Sequence, residues 1–326
     1  MKISILESAM VIEGGDAFQG ISDTIEVAKH ADKLGYERIW LAEHHNIKYI
    51  ASSAPQILIG TIAEKTKNIK VGSGGIMLPN HTPLIIAEQF GTLDTIYPNR
   101  IDLGLGRASG TNQLVAAQLR KNNIHRVNTF ESDIIELQNY FDNSQQTEQK
   151  VTAFPGQGRK IPIWILGSSI DSAYLASKLG LPYSFASHFA PAQFEAALKI
   201  YRDNFIPSER LSEPYIIAGL NIFAAESNQE AAHFMTTLYK MYVNFLTNNI
   251  GPLEPPGELP PIYSGHLKSA IDDTLRFTFH GNKNKLKKDI GVFASKYKVN
   301  EIMIVSPFYD LQAKLASLSI IKNALL

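Results

Sequence analysis

The sequence predicts an α/β protein, and within that class a closed (β/α)8 barrel of parallel strands. Short apolar runs rich in β-branched residues alternate along the chain with longer segments of helical period. Most of these runs are apolar on both faces, as in a parallel sheet that helices cover. A length of 326 residues suits one such barrel with insertions. An open, doubly wound sheet is the alternative, but it usually needs fewer strand–helix units.

Eight strands are predicted between Lys2 and Ser306, and we treat residues 1–326 as one barrel domain. In chain order they are Lys2–Glu7, Arg38–His45, Ile69–Leu78, Arg100–Arg107, Ile161–Gly167, Tyr183–His188, Tyr215–Ala225 and Glu301–Ser306.

The segments between the strands carry helix start and stop signals. Ser22 or Asp23 can cap the first helix, and Gly35 can end it. Pro83 stands just inside the next helix, where its missing N–H costs nothing. Further helices are predicted at Thr129–Tyr140, Asp171–Leu179, Pro191–Phe205 and Asn228–Asn249.

One insertion, at 250–265 between strands seven and eight, breaks the alternation. Its segment Gly251–Pro261 is rich in proline and cannot form regular structure. A loop of this length is either a surface excursion or a functional element such as a lid or an oligomer contact.

Composition excludes several classes of function. There is no cysteine, which excludes disulfides, thiolate nucleophiles and cysteine-based metal sites. Lys and Arg total 31 and Asp and Glu total 31, so the broad positive field of a nucleic-acid-binding protein is absent. The N-terminal segment meets a carboxylate at Glu7, too early for a signal peptide, and no apolar run could span a bilayer. We expect a cytoplasmic protein with neither a nucleic-acid nor a membrane partner.

The active site of such a barrel lies at the carboxyl ends of its strands. Strand two ends in Glu43-His44-His45, and strand six in Ser187-His188-Phe189. Because adjacent residues of a strand point to opposite faces, His44 and His45 do not easily ligate one metal ion. We expect one of them to face the mouth and the other to bond behind it, and we assign no metal. Both could instead be histidines held only by hydrogen bonds.

Strand three contains Gly72-Ser73-Gly74-Gly75. Glycine within a strand indicates close approach of another group. Either the barrel interior needs small residues here, or a flat ring lies against this strand. Spacing alone does not separate the two.

An anion site is predicted where strands four and five end. Arg107 offers a two-pronged donor for a phosphate. Ser168 and Ser169 precede a helix whose first turn contains Ser172, and free amides at a helix start bind anions. Neighbouring strands bring these groups together, so one phosphate could bridge them. Gly281-Asn282-Lys283 is a weaker anion candidate.

At these residues the chain resembles the luciferase-like flavin monooxygenases. The matching stretches are 34–46, 71–110 and 163–189, with a weaker match at 279–310. The resemblance implies that reduced FMN, supplied by a separate flavin reductase, and O2 oxygenate a small organic substrate at the barrel mouth. It also implies a homodimer. Two departures are the absence of the reactive cysteine of light-emitting members and a different composition in the 251–261 segment.

The resemblance also implies roles for individual residues. His44 matches the active-site acid/base. Ser73, Gly74 and Gly75 match the strand that supports the isoalloxazine ring, where the family often has a non-prolyl cis peptide. The phosphate ligands are matched by Arg107, Ser168, Ser169 and Ser172.

Three other functions remain open on the same barrel. A hydride-transfer oxidoreductase would use a deazaflavin or a stably bound flavin instead of oxygen. A flavin-binding protein without turnover would keep the site but not the reaction. A metal-dependent hydrolase would hold its metal at His44 or His45.

Overall fold

The computed structural model describes residues 1–108, 110–111, 113–119, 129–142 and 151–325. Within these ranges nine parallel strands form one sheet. They are β1 (Lys2–Glu7), β2 (Arg38–Leu41), β3 (Lys70–Met77), β4 (Ile101–Gly106), β5 (Ile163–Gly167), β6 (Tyr183–Phe185), β7 (Ile216–Ala224), β8 (Thr278–Gly281) and β9 (Glu301–Val305).

Eight of the strands close into a barrel. Strands β1 to β6 pair in sequence, β6 pairs with β7, β7 pairs with β9, and β9 pairs with β1. This ring, with helices outside it, confirms the predicted (β/α)8 barrel. Its strand ends all point the same way because every pairing is parallel.

The strand β8 lies outside the ring and was not predicted. It pairs with Asn221–Ala224, the carboxyl-terminal part of β7. Its sequence, TFHG, is short and not continuously apolar, and three of its four residues are only partly buried. A strand that extends one edge beyond the barrel lacks the double-sided apolar pattern by which the others are recognised.

Eleven α-helices surround the barrel in the described part of the chain. They are α1 (Ala17–Leu34), α2 (Pro55–Lys65), α3 (Pro83–Ile96), α4 (Gln113–Leu119), α5 (Phe130–Phe141), α6 (Ile170–Lys178), α7 (Phe194–Asp203), α8 (Asn228–Leu246), α9 (Gly265–Thr274), α10 (Lys283–Tyr297) and α11 (Leu311–Leu325).

The start of α1 corrects a prediction. The helix begins at Ala17, and the carboxylate of Asp16 caps it by accepting from the Gln19 amide at 2.8 Å. The predicted cap at Ser22 or Asp23 is wrong, because the helix extends further toward the N-terminus than its apolar stripe indicates. The end at Gly35 is confirmed, since Gly35 has a left-handed φ of 72°.

A charged network closes the amino-terminal end of the barrel. Arg38 Nη1 lies 2.5 Å from Asp102 Oδ2, and Arg38 Nε lies 2.8 Å from Glu301 Oε1. The indole of Trp40 donates to Asp102, and the hydroxyl of Tyr215 donates to Glu301. All three charged side chains are buried. With this end filled, the carboxyl ends of the strands form the accessible mouth.

The proline-rich segment is tied to the loop that follows β1. The Leu253 amide donates to the Val11 carbonyl, and the Glu13 amide donates to the Leu253 carbonyl, each at 2.9 Å. Lys240, on α8, donates to the Pro255 carbonyl at 2.9 Å. The segment is therefore neither free nor purely external, because Leu253 is buried between the loop and the barrel mouth.

No helix in the portions of the chain that the structure describes is long and apolar enough to cross a membrane.

Candidate functional site

A cavity of about 940 Å³ opens at the carboxyl ends of the barrel strands. Residues from β1, β3, β5, β7 and α8, and from the proline-rich segment, contribute to its walls. The predicted site residues that line it are His44, Gly74, Gly75, Arg107, Ser168, Ser169 and Ser172. The sequence-based candidates from four separate strands therefore share one chamber.

His44 and His45 face different surroundings. His44 lines the cavity, whereas His45 Nε2 lies 2.7 Å from the Glu43 carboxylate and outside the lining. Burial lowers the pKa of His44 below its usual value, although the Glu43 charge and a hydrogen bond with the Gly110 backbone oppose this shift. The His44 imidazole is therefore neutral at pH 7 and can accept a proton.

Glu43 holds the strand end behind His44. Its carboxylate is fully buried and contacts His45, His81 Nε2 at 2.9 Å and the Met77 amide at 2.9 Å. Burial would raise the pKa of this carboxyl, but the hydrogen bonds from His81 and its neighbours keep it below the usual range. Glu43 thus ties β2 to the segment after β3 and fixes the position of His44.

Gly74 and Gly75 form a side-chain-free part of the cavity wall, and the peptide bond between them is cis. A Cβ on Gly74 would lie 2.6 Å from Leu6 Cδ1, and one on Gly75 would lie 2.2 Å from Leu166 Cδ1. Packing alone therefore requires glycine at both positions. The packing explanation of this motif is therefore supported by the structure, and the role of these glycines as a support for a flat ring stays a prediction.

Ser73 lies apart from the other predicted residues. Its side chain is fully buried, and its hydroxyl donates to the Gly104 carbonyl at 2.9 Å and accepts from the Gly104 amide at 3.0 Å. It does not line the cavity. Ser73 fixes β3 against β4, and any contact of this residue with a ligand would be through the backbone.

Arg107 and the start of α6 lie side by side, as the adjacency of β4 and β5 predicts. Arg107 is 51% exposed, and its Nη2 is 3.4 Å from Asp171 Oδ2 in the first turn of α6. Ser172 Oγ donates to the Ser169 carbonyl at 2.6 Å and lies 2.8 Å from the Tyr183 hydroxyl. A solvent-exposed guanidinium thus faces a hydrogen-bonded turn with hydroxyl groups.

Part of the helix start is already occupied. The Ile170 amide, the first of α6, donates to Gln193 Oε1 at 2.9 Å. The side chain of Ser169 makes no capping bond, so its hydroxyl stays available to a ligand. An anion bound here would therefore contact Arg107 and the Ser169 hydroxyl more readily than the first helix amide.

The weaker anion candidate is elsewhere. The amide of Asn282 donates to Asn228 Oδ1 at 2.9 Å, and Asn282 Oδ1 accepts from the Lys285 amide at 3.0 Å. None of Gly281, Asn282 and Lys283 lines the cavity.

Most of the cavity wall was not assigned a role from the sequence, and two examples show why. His188, three residues after β6, lines the cavity, and its position at a strand end was the available signal. Leu238, Met241 and Tyr242 of α8 also line it. Their spacing is that of any buried helix face, so the sequence could not distinguish a cavity wall from core.

Across the ranges the structure describes, no three His, Asp or Glu side chains are arranged to hold a metal ion.

The family model and the related sequences that match this chain indicate the same family. The family model of the luciferase-like monooxygenases matches residues 1–268. A luciferase-like monooxygenase of Escherichia coli K12 is 43% identical over 315 residues, covering 96% of this chain and 94% of that protein. The N-acetyl-S-alkylcysteine monooxygenase of Bacillus subtilis is 30% identical over 336 residues, covering 100% of this chain and 98% of that protein.

Solved structures agree. Apo-MsnO8 superposes with a TM-score of 0.89 at 32% identity, covering 99% of this chain and 98% of its own. The oxygenating constituent of a Pseudomonas putida 3,6-diketocamphane monooxygenase, complexed with FMN, superposes with a TM-score of 0.77 at 17% identity, covering 100% of this chain and 97% of its own. An F420-dependent secondary alcohol dehydrogenase superposes with a TM-score of 0.68 at 14% identity, covering 100% of this chain and 99% of its own. At the two lower identities the likeness shows the fold alone.

Proposed function

The chain belongs to the luciferase-like monooxygenase family, and from this premise we propose that it uses reduced FMN and O2 to oxygenate a small organic substrate. One observation carries the proposal. The exposed Arg107 guanidinium, the serines at the start of α6, the Gly74–Gly75 wall and His44 all line the same cavity, and burial lowers the pKa of His44.

The residues present fit FMN. The volume of about 940 Å³ is at the upper end of ordinary ligand sites, which leaves room for a nucleotide and a second molecule. Arg107 and the hydroxyls of Ser168 and Ser169 would bind the phosphate, and the Ser172 hydroxyl would join them by turning its hydrogen away from the Ser169 carbonyl. The Asp171 carboxylate beside them is 65% exposed and can turn toward solvent when an anion replaces it on Arg107.

The wall formed by Gly74 and Gly75, with Leu6 and Leu166 packed against them, would support the isoalloxazine ring. Reduced FMN would supply the electrons that activate oxygen. His44 would accept or return a proton at its imidazole, with Glu43 holding the strand end in place. The apolar cavity walls would exclude water.

The phosphate assignment predicts that Arg107→Ala weakens FMN binding by about 1.5–3 kcal/mol, the usual cost of losing a charge-assisted hydrogen bond. The matched control is Arg159→Ala, which removes an arginine paired with Asp94 outside the cavity. Equilibrium dialysis or fluorescence titration gives both affinities. Equal FMN affinity in the two variants would refute the role of Arg107.

The choice of FMN and oxygen is tested by titration and turnover. We expect FMN to bind in preference to a deazaflavin, and reduced FMN with O2 to yield an oxygenated product from a panel of organic substrates. We also expect His44→Ala to keep FMN affinity and lose turnover. Preferential deazaflavin binding would favour hydride transfer, and FMN binding without any product would favour a non-catalytic flavoprotein.

We extend the proposal to two partners on the basis of family membership. A separate flavin reductase would supply reduced FMN, and the protein would be a homodimer in the cytoplasm. Sedimentation at about the mass of one 36.1 kDa chain would contradict the dimer.

A further inference from the structure

His188 occupies a position that three contacts hold in place. The Ser187 hydroxyl donates to the Gly219 carbonyl at 2.6 Å, and the Asn221 amide group donates to the His188 carbonyl at 2.8 Å. Phe189 packs edge-on against the imidazole with centroids 4.8 Å apart. The end of β6 is thereby fixed onto β7 with the ring of His188 in the cavity wall.

The glycine beneath the ring is required by that ring. A Cβ on Gly219 would lie 2.4 Å from His188 Nδ1. Nδ1 is completely enclosed and has no hydrogen-bond partner among the described residues. Buried N–H groups without a partner are rarer than buried unpaired acceptors, which favours the tautomer with Nδ1 unprotonated and the hydrogen on Nε2.

The other ring nitrogen, Nε2, is not enclosed in this way. In the part of the chain that the structure describes, Nε2 has no hydrogen-bond partner. His188 is only partly buried and lines the cavity while its Nδ1 is enclosed, so we take Nε2 as the nitrogen that faces the cavity. Burial lowers the pKa of His188 to about 4, so the ring is neutral at pH 7. The cavity wall therefore presents a fixed, neutral N–H donor.

The barrel order places this donor opposite the glycine surface. In the ring β1–β2–β3–β4–β5–β6–β7–β9, the strand β7 is diametrically across from β3. Leu238, Met241 and Tyr242 of α8 line the cavity, as does Leu253 of the proline-rich segment. A molecule lying across from Gly74 and Gly75 would meet His188, Asn221 and largely apolar side chains.

We propose that His188 is a substrate-binding residue whose Nε2–H donates to an acceptor oxygen, such as a carbonyl, on an otherwise apolar substrate. The inference rests on the proposed function, because it takes the β3 side of the cavity for the flavin ring and leaves the β7 side for the substrate. It predicts that the substrate places an uncharged acceptor oxygen beside an apolar part.

The first test needs no flavin. Long-range proton–nitrogen NMR spectra of the protein, assigned with His188→Gln, should show His188 as the neutral tautomer protonated at Nε2 at pH 7. A ring protonated at Nδ1, or a charged ring, would overturn the proposal.

The second test uses cyclohexanone and methylenecyclohexane, in which a methylene group replaces the carbonyl oxygen. Each is titrated into the protein with and without FMN while the His188 resonances are followed. Cyclohexanone should shift the Nε2 resonance and bind about three- to tenfold more tightly than the alkene, the value of one neutral hydrogen bond. Absence of any shift with cyclohexanone would count against the donor role.

Two variants isolate the donor. His188→Leu should abolish the preference for the ketone, and His188→Gln, whose amide places an N–H near the position of Nε2, should restore most of it. FMN affinity should be unchanged in both. A ketone preference that survives in His188→Leu would overturn the proposal. Failure of the unaltered protein to bind FMN would reject the proposed function instead, because the flavin-free titrations still decide the role of His188.

Discussion

The packing around Gly75 leaves no room for a side chain in the cavity wall. At Gly75 a methyl group would lie 2.2 Å from Leu166 Cδ1 and 2.7 Å from the Gly104 carbonyl. We predict that Gly75→Ala lowers the free energy of unfolding by about 1–3 kcal/mol, as other overpacked sites do. Urea denaturation provides the measurement.

A second glycine, Gly291, provides the control for the destabilisation expected of Gly75→Ala. Gly291 lies within α10, and a Cβ added there would meet no atom within 4 Å, so Gly291→Ala should stabilise by about 0.5–1 kcal/mol. A Gly75→Ala protein as stable as the unaltered one would mean that the wall can move.

The lowered pKa of His188 predicts the direction in which the free energy of unfolding changes with pH. The pKa of His188 is about 4 in the folded protein and ordinary when unfolded, near 6.5. Between these two pH values the unfolded chain binds more protons at His188 than the folded protein does. The contribution of His188 to the free energy of unfolding is therefore fully present above about pH 6.5 and is lost as the pH is lowered. This group alone accounts for at most about 1.4 kcal/mol per pH unit.

Comparing the unaltered protein with His188→Gln at about pH 7.5 and about pH 5.5 checks the sign and the source. The variant should lose less stability than the unaltered protein over this interval. The same acid sensitivity in both would assign it to other groups, such as His44, whose pKa is also lowered by burial.

At the scale of single residues, the sequence predicted which side chains meet but not how each is used. Arg107 and Ser172 are adjacent because strand order dictates it. Ser73 carries the same small polar signature, yet its hydroxyl bonds to Gly104. The direction of a side chain at an irregular strand end depends on tertiary contacts, and the chain offers no periodicity there.

At the scale of elements, the amino-terminal charged network joins three strands. Arg38 of β2 bridges Asp102 of β4 and Glu301 of β9. We predict that Arg38→Leu costs about 3–5 kcal/mol of unfolding free energy, because it leaves two buried carboxylates without their cation. Denaturant unfolding monitored by circular dichroism measures the loss.

The exposed pair Lys199–Asp203 on α7 is the appropriate control, and Lys199→Ala should leave the free energy of unfolding nearly unchanged because solvent screens the pair. Equal losses in the two variants would show that the buried network does not hold the strands together.

Elements with two apolar faces or clear caps were predictable, whereas those defined by an edge or by tertiary contact were not. The end of α1 at Gly35 follows from a glycine stop, but its start at Ala17 depends on Asp16 and precedes the recognisable apolar stripe. The strand β8 is formed by pairing with β7 and has little apolar character of its own. The role of the 251–261 segment depends on Leu253 reaching the loop after β1, a contact distant in sequence.

At the scale of the whole molecule, the fold determines where chemistry can occur. Charged residues and indoles fill one end of the barrel, and the other end opens into the cavity. The strand count was sufficient to predict this architecture, since eight parallel strand–helix units are typical of a barrel with its active site at the carboxyl ends. The identity of the substrate was not predictable, because the apolar wall comes from α8 and the proline-rich segment, whose positions are set by long-range packing.

A crystal structure of the protein soaked with FMN tests the proposed site most directly. We predict that the phosphate lies between the Arg107 guanidinium and the hydroxyls of Ser168, Ser169 and Ser172, and that the ring rests on Gly74 and Gly75. A phosphate bound instead near Asn282 and Lys283, or a cavity that stays free of FMN at saturating concentration, would contradict it.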